Sequence, residues 1–83
     1  SYVAENPFHA ECLKLTRKLS EAPNRQLSHQ VLLKRMKMKA KEFKELIDTM
    51  LQGGEIISES VQTTGRPGLF YRLLPTVKEG EAW

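Results

Sequence analysis

The chain has 83 residues, 40% of them apolar and 28% charged, with a net charge of +3. That suits one small core burying roughly 60–65% of the unfolded surface, and it excludes a second core and intrinsic disorder. A lone cysteine excludes a disulfide framework and a four-cysteine zinc site. No apolar run approaches the roughly 18 residues of a membrane span, and no signal peptide opens the sequence. The chain is therefore expected in a reducing compartment, the cytoplasm.

Residues 1–5 are expected to be disordered, residues 6–74 to form the folded domain and residues 75–83 to form a disordered acidic tail. Asn6-Pro7 reads as a helix start, because Asn caps orphan N–H groups and Pro presets φ at the first helical position. Phe8, Cys12, Leu15 and Leu19 then recur at helical spacing, one apolar stripe on a helix running to about Ala22, where Pro23-Asn24 stops it. Cys12 falls on that stripe, as a core residue would. Ser28 is the next N-cap, opening a short helix with Val31, Leu32 and Met36 inward. Leu27 before it either staples the entry or makes a one-residue strand contact.

The stretch Met36-Lys37-Met38-Lys39 breaks the apolar rhythm and reads as a turn. A third helix, residues 40–52, puts Ala40, Phe43, Ile47, Met50 and Leu51 on one face with Leu46 beside them. Lys41, Lys44, Glu45 and Asp48 lie opposite. Gly53-Gly54 ends it in the left-handed conformation. The period then drops to two: Glu55 to Val61 reads as a strand, Thr63 to Gly68 as a turn and Leu69 to Leu74 as a returning strand stopped by Pro75. The expected fold class is α+β, three helices followed by a two-stranded β-hairpin, which needs a helix surface to be stable.

Charge is unevenly spread. Residues 14–44 hold ten bases against Glu21 and Glu42, a local +8, while the first thirteen residues carry −2 and everything after Lys44 carries −3. Such a stripe attracts polyanions, or it is a solvated face that keeps a small domain soluble. Charge alone leaves both readings open.

This order, and two stretches within it, carry a resemblance. Leu51-Gln52-Gly53-Gly54-Glu55-Ile56-Ile57 is similar to the junction between recognition helix and wing in the winged helix-turn-helix superfamily. Thr64-Gly65-Arg66-Pro67-Gly68-Leu69-Phe70-Tyr71-Arg72-Leu73 resembles the Gly-Arg-Pro wing of bacterial regulators and of accessory domains in plasmid and phage replication proteins. The resemblance covers about residues 6–74. It implies a winged helix-turn-helix that binds double-stranded DNA, residues 40–52 being the recognition helix in the major groove and residues 28–36 its support. Lys39, Lys41, Lys44 and Glu45 would face the groove, with Lys34, Arg35 and Lys37 near the flanking phosphates. Ser28 reads as a plain N-cap or as a helix N-terminus offered to a phosphate.

Lysine binds phosphate well but reads bases less rigidly than Arg or Asn, so affinity is expected to come mainly from the backbone. Glu42 or Glu45 either accepts from a cytosine amino group or pairs with a lysine one turn away. Arg66, between Gly65 and Pro67 at the hairpin tip, is the candidate for the minor groove or the backbone. Tyr71 reads as a wing packing residue with a phosphate as its other candidate contact, and Arg72 as a strand-face residue.

Chemistry finds no support. His9 and Cys12 are only two ligands, His29 reads as a surface or phosphate-adjacent histidine, and Glu42 and Glu45 sit exposed among lysines. No catalytic residue, metal site or cofactor is expected, and the chain is read as a non-enzyme. The absence of an initiating Met and of a dimerisation helix suggests a module of a larger replication or transcription-regulatory protein, with its other domains or a homodimer copy as further partners and no membrane. The alternative is a winged helix that binds protein rather than DNA. RNA binding ranks last, because Phe8, Phe43 and Phe70 read as interior and leave few stacking platforms.

Overall fold

The computed structural model describes residues 7–62, 64, 65 and 67–75. The Asn6 cap, Arg66, residues 1–5 and all of the acidic tail beyond Pro75 thus lie outside the described residues. The order is α1 (Pro7–Ser20), β1 (Gln26–Ser28), α2 (His29–Met36), α3 (Ala40–Gln52), β2 (Ile56–Gln62) and β3 (Pro67–Leu73).

The fold is α+β, and the sheet corrects the expected two-stranded hairpin. It has three antiparallel strands in the order β1-β3-β2. β1 reaches β3 across the whole domain, with Gln26 opposite Arg72, Leu27 opposite Tyr71 and Ser28 opposite Phe70. Of the two roles expected for Leu27 the strand contact is the one formed, widened to three residues and paired with a strand more than forty positions away, a partner that no local pattern announces. The chain enters β1 through a tight turn in which Asn24 and Arg25 take φ of 57° and 55°. That turn follows the end of α1 at Ser20, two residues before the expected stop.

The helices form where their caps and stripes put them. The Ser28 side chain accepts a hydrogen bond from the Val31 backbone N–H at 3.3 Å, closing the N-terminus of α2. Lys37 ends that helix with φ 57° and ψ 43°, its N–H donating to the Leu33 carbonyl at 3.1 Å. Of the two glycines after α3 only Gly54 is left-handed, with φ 75°; Gly53 stays right-handed at φ −78°. β2 begins one residue later than expected, at Ile56. β3 starts two residues earlier, at Pro67, and ends at Leu73.

Leu15, Leu19, Leu32, Phe43, Leu46 and Met50 are wholly or almost wholly buried and join the three helices, while Ile56 and Tyr71 bring in the sheet. Cys12 is partly buried against this cluster. Several expected core positions face out. Val31 is 37% exposed because it lies roughly 120° around the helix from the Leu32–Met36 midline. Phe8, 40% exposed, sits in the first turn of α1, on the wall of a groove shared with the 37–39 turn and the start of α3 rather than in the core. Ala40 is exposed at the start of α3 and Leu51 is half-buried at its end. Phe70 is half-buried because it alternates with Tyr71 and points to the outer sheet face.

On that outer face Arg72 grips Glu59 with two hydrogen bonds of 3.3 and 3.0 Å, and Gln26 donates to the same carboxylate at 2.8 Å. The strand-face assignment of Arg72 therefore holds, and the ladder ties β1 to β2 across β3. These hydrogen bonds, the Arg72 one foremost, hold the Glu59 carboxyl below the usual carboxylate range. A depressed folded-state pKa adds stability above the ordinary carboxylate range and loses it as the pH falls through the folded value. The urea midpoint of the parent should thus exceed that of Glu59→Gln at pH 7, and the gap should close on acidification. A gap independent of pH would assign the effect to packing instead.

Candidate nucleic-acid interface

The helix-turn-helix unit is α2, the turn 37–39 and α3. Lys34 and Arg35 project from the last turn of α2, Lys37 and Lys39 from the turn, and Lys41, Lys44 and Glu45 from α3; all seven are exposed. Lys37 occupies a left-handed position that Gly or Asn takes more cheaply. Lys39 stands at the N-cap of α3 without a side-chain hydrogen bond, leaving its first amides uncapped. No ion pair among the described residues engages Lys34, Arg35, Lys37, Lys39 or Lys41.

The structure separates these five from the rest of the α3 surface. Lys44 is held by Asp48 one turn on, Nζ to Oδ2 at 3.3 Å. The side of α3 opposite Phe43, Ile47 and Met50 presents Lys41, Glu45, Asp48 and Gln52, and the helix as a whole sets two bases against three acids. Positive charge is thus concentrated at the end of α2 and in the turn rather than along α3. A groove of about 480 Å³ between the N-terminal ends of α1 and α3 brings Lys37 and Lys39 of the turn against Glu11, Glu42 and Glu45. Lys14, part of the +8 segment, is spent elsewhere: its Nζ donates to the Met36 carbonyl at 3.3 Å and caps α2.

The tip between β2 and β3 turns at Gly65, with φ 93° and nothing within 4 Å of where a Cβ would stand. Pro67 follows, exposed, at the start of β3. Arg66 lies outside the described residues, so the tip is placed by its two neighbours.

His29 departs from its expected surface role. Its Nδ1 shares a 2.9 Å hydrogen bond with the Tyr71 hydroxyl, and its ring meets Phe43 edge-on at 5.2 Å. Burial, and then the charge of Asp48, push the Tyr71 hydroxyl up from its ordinary pKa, so it remains a neutral phenol. This triad locks the start of α2 onto α3 and β3 and so sets the orientation of the helix-turn-helix unit. The only sequence signal for it is position: His29 falls just after the cap, about 60° from Leu32 on the helix.

Among the described residues no group of three or more His, Cys, Asp or Glu could hold a metal ion, and no helix is long and apolar enough to cross a membrane. No protein-family model matches the chain and no curated protein matches it, so the reading of this surface rests on its own residues.

Proposed function

We propose that the chain is a winged helix-turn-helix module that binds double-stranded DNA and belongs to a larger replication or transcription-regulatory protein. The element order, the three-stranded sheet and the exposed tip at Gly65 fit that reading. The observation that carries it is the group of five bases, Lys34, Arg35, Lys37, Lys39 and Lys41, unpaired among the described residues and gathered around one helix-turn-helix corner.

In this proposal the corner meets the phosphates and the N-terminal end of α3 enters the major groove first, because Glu45 and Asp48 repel DNA from the rest of the helix. Arg66 reaches the minor groove or the backbone from the tip. Sequence discrimination is weak and salt dependence steep, since lysine neutralises phosphate without reading bases rigidly.

The test is fluorescence anisotropy of an arbitrary labelled duplex at two salt concentrations. Five phosphate contacts predict a loss of affinity of about 500-fold between 50 and 200 mM salt. Arg66→Ala should weaken binding without lowering the melting temperature. Absence of binding at low salt would sink the DNA reading. It would favour a protein-docking winged helix, which the mixed charge of the outward α3 face also suits.

A further inference from the structure

A second concavity lies at the opposite end of α3 from Lys39 and Lys41. It is a cleft of about 340 Å³ between α1, the C-terminal end of α3, Glu55 just before β2, and Leu73 at the end of β3. That volume falls at the lower end of the roughly 300–1,000 Å³ typical of small-ligand sites.

Met50 and Leu73, both buried, line its interior, and Leu13 forms a wall. Leu13 is 42% exposed, a large apolar side chain turned away from the core that the rest of the helix serves. The polar lining of the cleft is the side chains of Thr16 and Thr49, the Cys12 thiol, the His9 imidazole and the Glu55 carboxylate, the one acidic group among them. The Glu55 side chain folds back over the chain, its carboxyl carbon 3.9 Å from where a Gly53 Cβ would stand. No ion pair among the described residues engages it. Burial first, and then the charges of Glu55 and Glu11, push the Cys12 thiol up from its ordinary pKa. The thiol is therefore a neutral wall group, and the field it feels is that of a carboxylate.

We infer that this cleft binds a small ligand with an apolar body and one ammonium group, the body against Leu13, Met50 and Leu73 and the ammonium paired with Glu55. An apolar cavity with one carboxylate at its edge selects a cation over a neutral or anionic analogue of the same shape, because only the cation gains a charge-assisted hydrogen bond. The site is independent of the DNA reading, and its test uses the free protein.

Three probes of one shape decide it: benzylammonium, benzyl alcohol and phenylacetate, titrated into the ¹⁵N-labelled chain and followed by amide shifts. Benzylammonium should shift the amides of Leu13, Thr49, Gly53 and Glu55 saturably, with a dissociation constant on the order of 1 mM for so small a molecule. The alcohol should bind several-fold more weakly and the carboxylate not at all. Benzylammonium should also slow alkylation of Cys12 several-fold.

Glu55→Gln should bring the ammonium down to the level of the alcohol. Gly53→Leu should abolish binding of every probe by filling the cleft; at φ −78° the backbone accepts a side chain, and the nearest atom to its Cβ is the Thr49 carbonyl oxygen at 3.5 Å. Both variants are first shown to melt as the parent does. Absence of saturable shifts at these amides, equal binding of all three probes, preference for phenylacetate (which would assign the wall to His9), or binding that survives Gly53→Leu would each overturn the inference.

Discussion

Replacing Phe43 with Ala should cost about 3–5 kcal/mol, the range for deleting a fully buried aromatic ring. Phe43 is completely buried. It is also the one α3 residue in contact with both other rings of the aromatic cluster, His29 at 5.2 Å and Tyr71 at 6.4 Å. A domain of this length has total stability of only about 4–12 kcal/mol, and each kcal/mol moves the midpoint by about 4–8 °C. Thermal unfolding followed by circular dichroism should therefore show a midpoint lowered by at least about 12 °C. Phe43→Leu, which keeps much of the volume, should lose far less. A Phe43→Ala variant that melts within a few degrees of the parent would mean that the three elements are not held together at this cluster.

Under the proposed DNA reading, neutralising the corner formed by α2, the 37–39 turn and α3 should nearly abolish duplex binding while leaving the fold intact. In a variant carrying Lys34→Gln, Arg35→Gln, Lys37→Gly and Lys39→Gln, the slope of log affinity against log salt should fall by about four, roughly one per charge removed. All four side chains are exposed and unpaired among the described residues, so their loss removes no packing. Lys37→Gly is the diagnostic member. A left-handed non-glycine residue carries about 1–2 kcal/mol of strain, which outweighs the roughly 0.4–1 kcal/mol of extra backbone entropy that Gly must lose on folding. The substitution should hold or raise the melting temperature while weakening binding, an opposition that a merely structural lysine would not produce. Unchanged affinity in the four-fold variant would take the DNA proposal away from this corner.

The contrast between these two predictions reflects how differently the core and the surface could be read beforehand. Leu15, Leu19, Leu32, Met36, Phe43, Ile47 and Met50 announce themselves by helical spacing, because a helix shows one stripe to its neighbours whatever those neighbours are. The Ser28 cap, the turn at Lys37 and the break after Gln52 are likewise local, resting on backbone groups within four residues. A candidate site built from exposed charges is legible only in part. Six bases between residues 34 and 44 are plain in the sequence, but Lys44 turns out to be paired with Asp48 and Lys14 to be capping α2. Which charges remain free depends on what lies beside them in space.

By itself, then, the sequence determined three helices with the Ser28 cap and most of their buried stripes, a change of period into two strands, and a positive segment ending near Lys44. Each of these follows from interactions between residues a few positions apart. Only the tertiary structure decided that Gln26–Ser28 pairs with β3 as a third strand, that His29 is enclosed between Phe43 and Tyr71, and that Val31 and Phe8 face out. It also decided that α3 shows a mixed face while the basic residues gather at the corner before it. Those outcomes depend on partners tens of residues away, whose choice is set by how the helices and the sheet close over a shared core. A periodicity of 2 or 3.6 gives a side chain its direction within an element, and only packing gives the element a direction within the molecule.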